Sequence, residues 1–133
     1  MPLVILPRDG LRGIGSIDLS GITPDRLRGL GVPAIERIGV EIDGRRQPLA
    51  SAFVVSGDLD NDNTLECRGD FSRVHGIGAG MRAGRIEVIG AVGHRAGARM
   101  AGGDLGIAGN AGNWLAAGMS GGVVRIAGDA GDD

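Results

Sequence analysis

The feature that most constrains this chain is a 19-residue repeat that runs from Val74 to the last residues. Each copy carries a short alternation of apolar and other residues just after a glycine, as at Ile86 and Val88, which is typical of a strand with one buried face. Nineteen residues are too few for a unit of paired helices. Five columns of the repeat are identical in every copy: Met81, Met100 and Met119; Gly84, Gly103 and Gly122; Gly90, Gly109 and Gly128; Gly93, Gly112 and Gly131; and Ala79, Ala98 and Ala117.

A strand-like unit of this length predicts a mainly β fold, a parallel β-helix. At roughly 3.3 Å per residue one copy winds once around a narrow core, and consecutive coils stack about 4.8 Å apart. Glycine accounts for 27 of the 133 residues. Glycines at a fixed phase of the coil indicate corners with positive φ or a close approach of two backbones. The methionine column and the column of Val88, Ile107 and Ile126 are expected inside the core.

The stack is expected to continue upstream with looser spacing. Leu65 to Gly69 resembles Ile86 to Gly90 at a distance of 21 residues, and Phe53 to Gly57 reads as a further strand, so the parallel stack is predicted to begin near residue 51. Residues 1–50 lack the repeat and are predicted to form a small α/β cap that covers the open edge of the first coil. The sequence therefore predicts a capping segment, 1–50, and a glycine-rich β-helix, 51–133.

The capping segment carries ordinary start and turn signals. Thr23 precedes Pro24 and is expected to be the N-cap of a short helix that runs to about Leu30. Asp43-Gly44 is typical of a hairpin turn. The strands predicted around these signals are Leu3 to Leu6, Ser16 to Ile22, Ile38 to Ile42 and Leu49 to Val55.

Charge and cysteine content exclude several classes of protein. All 14 basic residues are arginine, and 16 acidic residues outnumber them, so no basic surface points to a nucleic acid partner. No apolar run approaches the ~18 residues of a membrane span, and the first residues lack the features of a signal peptide. A single cysteine excludes a disulfide framework. We expect a cytoplasmic protein with neither nucleic acid nor membrane as partner.

Few residues suggest chemistry. His75, His94 and Asn113 share one column, so two imidazoles are expected about 5 Å apart. A metal site there would lack a third ligand, and an exposed polar ladder explains the column better. Cys67 falls in the Val88 column and is expected in the core. The glycines between Ile77 and Met81 are followed by strand rather than helix, which argues against a phosphate-binding loop.

The remaining candidates concern surface contacts. The acidic and amide residues from Asp58 to Asn63 match a calcium loop in composition only and are expected to be a solvated loop. Arg95 with Trp114 and Arg85 with Asp104 are expected to contact each other across coils, as a cation–π pair and an ion pair. No catalytic, cofactor-binding or metal-binding residue is predicted. The candidate interface residues are Trp114, the only tryptophan, and the interior residues of the last coil, Met119, Val124 and Ile126.

The segments Gly69-Asp70-Phe71-Ser72-Arg73-Val74 and Ile77-Gly78-Ala79-Gly80-Met81, followed by the repeated Met-x-Gly-Gly-x-x-x-Ile-x-Gly pattern, resemble the C subunit of formylmethanofuran dehydrogenase. The same type of subunit occurs in the bacterial formyltransferase/hydrolase complex, and the resemblance spans the whole chain. A broader similarity is to the glycine-rich β-helix at the C-terminus of the glutamate synthase large subunit. Members of the C-subunit family usually continue for several more coils, so the chain is expected to be either a natural short form or a fragment of a longer protein.

The resemblance implies a right-handed parallel β-helix that acts as a non-catalytic scaffold subunit in one-carbon metabolism. It also implies that any molybdenum or tungsten pterin is carried by partner subunits and that this chain binds no cofactor. The implied partners are the other subunits of a formylmethanofuran-handling complex, with self-association through the C-terminal coil as a further expectation. A β-helix domain related to glutamate synthase is the alternative, and the sequence leaves the type of complex open.

Overall fold

The computed structural model describes residues 2–59 and 63–131. In these residues the chain is mainly β, with two sheets and two short helices. The helices are α1 (Pro24–Leu27) and α2 (Val32–Glu36). The strands are β1 (Leu3–Pro7), β2 (Ile17–Asp18), β3 (Gly39–Ile42), β4 (Arg45–Pro48), β5 (Phe53–Ser56), β6 (Thr64–Arg68), β7 (Val74–His75), β8 (Arg85–Ile89), β9 (Asp104–Ile107) and β10 (Val123–Ile126).

The larger sheet is the parallel stack that the repeat predicts. Its strand order is β10-β9-β8-β6-β1-β5, and all neighbours except β1 and β5 run parallel. Leu65 lies beside Ile86, Ile86 beside Leu105, and Leu105 beside Val124. The 21-residue offset before the regular 19-residue coils is therefore confirmed, and the parallel β-helix with it.

The start of the stack differs from the prediction. Strand β5, expected to open the parallel stack near residue 51, runs antiparallel to β1 and lies at the edge of the sheet. Strand β1 pairs in parallel with β6, and β2 pairs in parallel with β7, so both add a partial coil beneath the repeat. The division at residue 50 stays a prediction, and the larger sheet crosses it.

The smaller sheet has the order β4-β3-β2-β7, and its hairpin closes the same end of the stack as β5. The turn at Asp43-Gly44 is confirmed, but the return strand is β4 at Arg45–Pro48, followed by a 3₁₀ turn at Leu49–Ser51. Antiparallel strands thus end both sheets on this side, so the backbone groups of the parallel coils find partners there.

The helices are shorter than the sequence suggests. The predicted helix to Leu30 ends at Leu27, and α2 was not anticipated. Thr23 occupies the N-cap position with an extended backbone, yet its buried hydroxyl makes no capping hydrogen bond. The strand expected from Ser16 to Ile22 is limited to β2, because the chain turns at Leu19 to Ile22 through a backbone hydrogen bond.

One continuous apolar core runs through the coils and the N-terminal layer. Met81 and Met100 are fully buried, and Phe53 stacks on Phe71 with ring centroids 5.6 Å apart where the two parts meet. Aliphatic side chains at alternating strand positions fill the remaining interior, as expected for a coil with one buried face. The core therefore joins the first fifty residues to the repeat.

Candidate functional site

The predicted interior columns lie where the repeat places them, and the burial of their side chains decreases toward the last described coil. Met81, Met100, Val88 and Ile107 are buried, whereas Met119, Val124 and Ile126 in the last described coil are only partly buried against the core. The difference arises because coil residues are covered by a neighbour on each side, and the last described coil has a neighbour on one side only. Candidate interface residues are thus apolar groups with incomplete cover.

The glycine columns serve the two purposes that the sequence indicates. Gly84, Gly103 and Gly122 have φ between 84° and 92°, a conformation that L side chains rarely adopt. At Gly109 the constraint is space, because a Cβ atom would lie 2.7 Å from the backbone nitrogen of Ala91 in the coil below. Identical glycines in every coil therefore mark either turns with positive φ or positions where adjacent coils approach too closely for a side chain.

The polar column forms a stacked ladder. The imidazoles of His75 and His94 lie parallel with centroids 5.1 Å apart, which confirms the expected spacing. Nδ1 of His75 accepts a hydrogen bond from the backbone N–H of His94, and Nδ1 of His94 accepts one from the backbone N–H of Asn113, both at 2.8 Å. Each neutral ring therefore carries its proton on Nε2. A side chain at Gly93 or Gly112 would overlap these imidazoles, which explains why glycine precedes His94 and Asn113.

The ladder uses one nitrogen of each imidazole, Nδ1, for structure. Burial, then the charges of His94 and Arg95, lower the pKa of His75, with Asp18 acting in the opposite direction. Among the described residues, no three His, Cys, Asp or Glu side chains are grouped to hold a metal ion. Part of the acidic segment from Asp58 to Asn63, namely residues 60–62, lies outside the described residues.

Cys67 lies in the core, as the column of Val88 predicts. It is buried beside Val88 in β8, and burial, with a smaller contribution from the charge of Glu66, raises the pKa of its thiol far above the usual range. The thiolate is the reactive form of cysteine. A nucleophilic role for Cys67 is therefore unsupported.

The surface pairs give one confirmation and one correction. Arg85 lies 3.6 Å from Asp104, as expected, and Arg125 binds both Asp104 and Glu87 at 2.8 and 2.7 Å. The expected cation–π pair of Arg95 with Trp114 is wrong, since Trp114 instead presents an edge-to-face contact to His94 with centroids 6.4 Å apart. Arg95 and Trp114 both have a φ of 60°, and the Trp114 side chain is half-exposed.

A groove of about 440 Å³ lined by three arginines was not anticipated from the sequence. Arg26 comes from α1, and Arg95 and Arg99 come from one coil of the repeat. In the preceding coil their positions are held by Gly76 and Gly80. The signal that points to them is this departure from glycine in two columns of the repeat.

The described residues contain no helix long and apolar enough to cross a membrane. Stacked coils with glycine corners, an aliphatic interior and a polar ladder define the chain as a glycine-rich parallel β-helix protein. Comparison with known proteins makes this class more specific. No family model matches the chain.

Three curated relatives are C subunits of the enzyme named "Molybdenum-containing formylmethanofuran dehydrogenase 1". Identity over 93 residues is 33% for the proteins of Methanothermobacter marburgensis and Methanothermobacter thermautotrophicus and 32% for that of Methanothermobacter wolfeii. Each alignment covers 70% of this chain and 23% of the relative. The chain is a homologue of the C subunit of formylmethanofuran dehydrogenase.

A solved structure extends the similarity to nearly the whole chain. It is the formyltransferase/hydrolase complex FhcABCD of Methylorubrum extorquens with methylofuran, one chain of which matches with a TM-score of 0.85 and 34% identity. The match covers 97% of this chain and 47% of that chain. The present chain thus spans about half of the matched structural chain and about a quarter of the curated relatives.

The described residues do not fit a molybdenum centre of the kind that the relatives' name implies. The one cysteine is buried in the core, both histidines use Nδ1 to bind backbone N–H groups, and Glu87 and Asp104 are paired with arginine. No three described His, Cys, Asp or Glu side chains are therefore grouped to hold such a centre.

Proposed function

We propose that this chain is a non-catalytic scaffold, equivalent to the C subunit, in a complex that acts on formylmethanofuran or a similar formyl carrier. Its partners are then the other subunits of that complex, in the cytoplasm. The supporting observation is that both histidines and the carboxylates of Glu87 and Asp104 make contacts that hold coils together. The His75 and His94 ladder and the Glu87–Arg125–Asp104 cluster are both of this kind.

A scaffold role suits the physics of the stack. Each inner coil is fixed to the neighbours on both sides by backbone hydrogen bonds and packed side chains, which favours a rigid surface along these coils. A rigid surface holds partner chains at fixed positions at a low entropic cost of binding. Formyl transfer, hydrolysis and any molybdenum or tungsten pterin then belong to the partner chains.

The first test is isolation of the complex. A tagged copy of the chain expressed in its native host is expected to co-purify with a formyltransferase and an amidohydrolase-type or dehydrogenase subunit, identified by mass spectrometry. Recovery of glutaminase and flavin-binding subunits instead would overturn the proposal in favour of a relative of glutamate synthase.

The second test separates scaffold from catalyst. In the purified complex, His75→Asn, His94→Asn and Cys67→Val each remove a group capable of proton transfer or nucleophilic attack. We expect the kcat per assembled complex to stay within about twofold, because none of these groups meets substrate. A large fall in kcat with assembly intact would show that the chain contributes to catalysis.

A further inference from the structure

The groove lined by Arg26, Arg95 and Arg99 has an unbalanced charge. None of the three guanidinium groups has an acidic partner or a side-chain hydrogen bond among residues 2–59 and 63–131, although the chain as a whole carries a formal charge of -2. Elsewhere on the surface, grooves that contain arginine also contain an acidic residue: one is lined by Arg8, Arg12 and Asp9. Three cations that share a groove without a counter-charge repel one another.

Two of these arginines also have an unfavourable backbone conformation. Arg95 and Arg99 have φ of 60° and 57°, and the same coil positions are occupied by Gly76 and Gly80, with φ of 73° and 75°, in the coil below. Glycine adopts this conformation without penalty, whereas a side chain with Cβ is strained there. Strained residues that the fold could replace by glycine are typical of positions where the side chain itself is used.

We propose that this groove is a docking site for an acidic segment of a partner protein, with aspartate and glutamate side chains bound by Arg26, Arg95 and Arg99. Guanidinium groups bind carboxylates through paired N–H donors, which supplies the missing counter-charge. The three arginines are exposed. A small-molecule site would instead enclose most of its ligand. An open groove suits a stretch of polypeptide that covers the arginines as it binds.

The position of the groove supports docking across two parts of the chain. Arg26 belongs to α1 in the N-terminal layer, whereas Arg95 and Arg99 belong to the coil above. The guanidinium of Arg26 lies over Gly21, where a Cβ atom would be 3.0 Å from Nη1. An acidic segment bound there would contact both the cap and the repeat and would link them through one set of charges.

The docking proposal rests on the proposed function only in supposing a protein partner. Its test uses the full chain alone and a labelled synthetic peptide of alternating aspartate and serine, so that it can fail while co-purification of the complex succeeds. Binding is measured by fluorescence anisotropy at low and high salt. We expect saturable binding that weakens as salt rises, because exposed charges are screened, and no binding of the matched asparagine–serine peptide.

Three variants make the test specific. Replacing Arg26, Arg95 and Arg99 together by glutamine is expected to weaken peptide binding about tenfold or more. The matched control replaces Arg12, Arg37 and Arg45, which removes the same charge elsewhere and is expected to leave the affinity within about twofold. The pair Arg95→Gly and Arg99→Gly removes the guanidinium groups but restores the residues of the preceding coil, so it is expected to keep the fold and still weaken binding.

The pKa of His75, next to the groove, provides a second readout of peptide binding. The charge of Arg95 contributes, after burial and His94, to the lowered pKa of His75. A bound carboxylate would offset that charge, so the peptide is expected to raise the pKa of His75 in an NMR titration. Equal loss of binding in the groove and control triples would overturn the proposal by showing a non-specific charge effect. Binding of inorganic phosphate with the same arginine dependence, without peptide binding, would overturn it in favour of a small-anion site.

Discussion

Arg125 reaches across an entire coil to place Nη2 2.7 Å from Oε1 of Glu87, 38 residues earlier in the chain. Between them in the same register column lies Gly106, whose missing side chain leaves room for the contact. The same Nη2 lies 2.8 Å from Asp104, so one guanidinium joins three consecutive coils on the outer face of the larger sheet.

The first prediction compares two glycines in the same coil. Gly106→Ala would place a Cβ atom against the ends of the Glu87 and Arg125 side chains, which can move, so we expect a loss of unfolding free energy below about 1 kcal/mol. Gly109→Ala would place it 2.7 Å from the backbone nitrogen of Ala91, which cannot move alone, so we expect a loss of about 1–3 kcal/mol. Denaturant unfolding of both variants gives the comparison, and equal losses would contradict the backbone-contact explanation.

The repeat made much of this fold predictable, since a residue's phase in a 19-residue coil fixes its neighbours in space. The pairing of Leu65 with Ile86, the burial of Met100 and the stacking of His75 on His94 all follow from phase alone. The parallel pairing of β1 with β6 and of β2 with β7 could not be predicted in this way, because residues 3–18 share no repeat with the coils that they extend.

Surface contacts were harder to predict, because many of them join residues that the 19-residue phase does not relate. The Arg85–Asp104 pair joins adjacent coils and was found from the columns, whereas Arg125 and Glu87 skip a coil and were missed. The arginine groove joins Arg26, outside the repeat, to Arg95 and Arg99 within it. Trp114 was assigned the wrong partner because a shared column places two residues in adjacent coils but does not fix which side chains touch, and Trp114 contacts His94 instead.

A second prediction concerns the methionine column. Met100→Asp buries an unpaired carboxylate between two apolar coils at a cost of several kcal/mol, comparable to the stability of a small domain. We expect loss of the cooperative thermal transition. Met119→Asp is the matched control, because Met119 is only partly buried, and it should retain a transition at a lower temperature. The column assignment would be wrong if both variants melted like the wild type in circular dichroism.

A third prediction is a pH dependence from the ladder. The pKa of His75 is lowered in the folded chain, so the unfolded chain takes up a proton first as pH falls. Its contribution to stability is therefore complete above about pH 6.5, the ordinary pKa of histidine, and is lost as pH falls from there through the lowered folded value. Protonation also removes the acceptor for the N–H of His94.

His75→Asn removes the titrating imidazole but keeps a hydrogen-bond acceptor at this position of the ladder. An asparagine oxygen already performs the same task elsewhere in the stack, where Oδ1 of Asn110 accepts the N–H of Asp129 at 2.8 Å. We expect the variant to keep its stability at pH 8 within about 1 kcal/mol and to lose less stability than the wild type between pH 7 and 5. Unfolding midpoints across this range give the measurement, and parallel wild-type and variant curves would show that His75 is not the titrating group.

The final prediction concerns the last described coil, Asn113 to Gly131. Its interior residues Met119, Val124 and Ile126 have cover on one side only, and β10 pairs with β9 alone among the described strands. Exposed strand edges pair readily with another chain.

Two copies related by a two-fold axis would pair β10 with β10 in antiparallel fashion and cover both sets of apolar residues. For the chain on its own we expect a dimer that forms with rising concentration, measured by light scattering, and amide exchange in Asn113 to Gly131 that slows as it forms. Val124→Asp should abolish the dimer, whereas Val123→Asp, next to it on the exposed outer face, should not. A monomer at every concentration, with this coil as protected as His75 to Gly93, would show that the open end needs no cover.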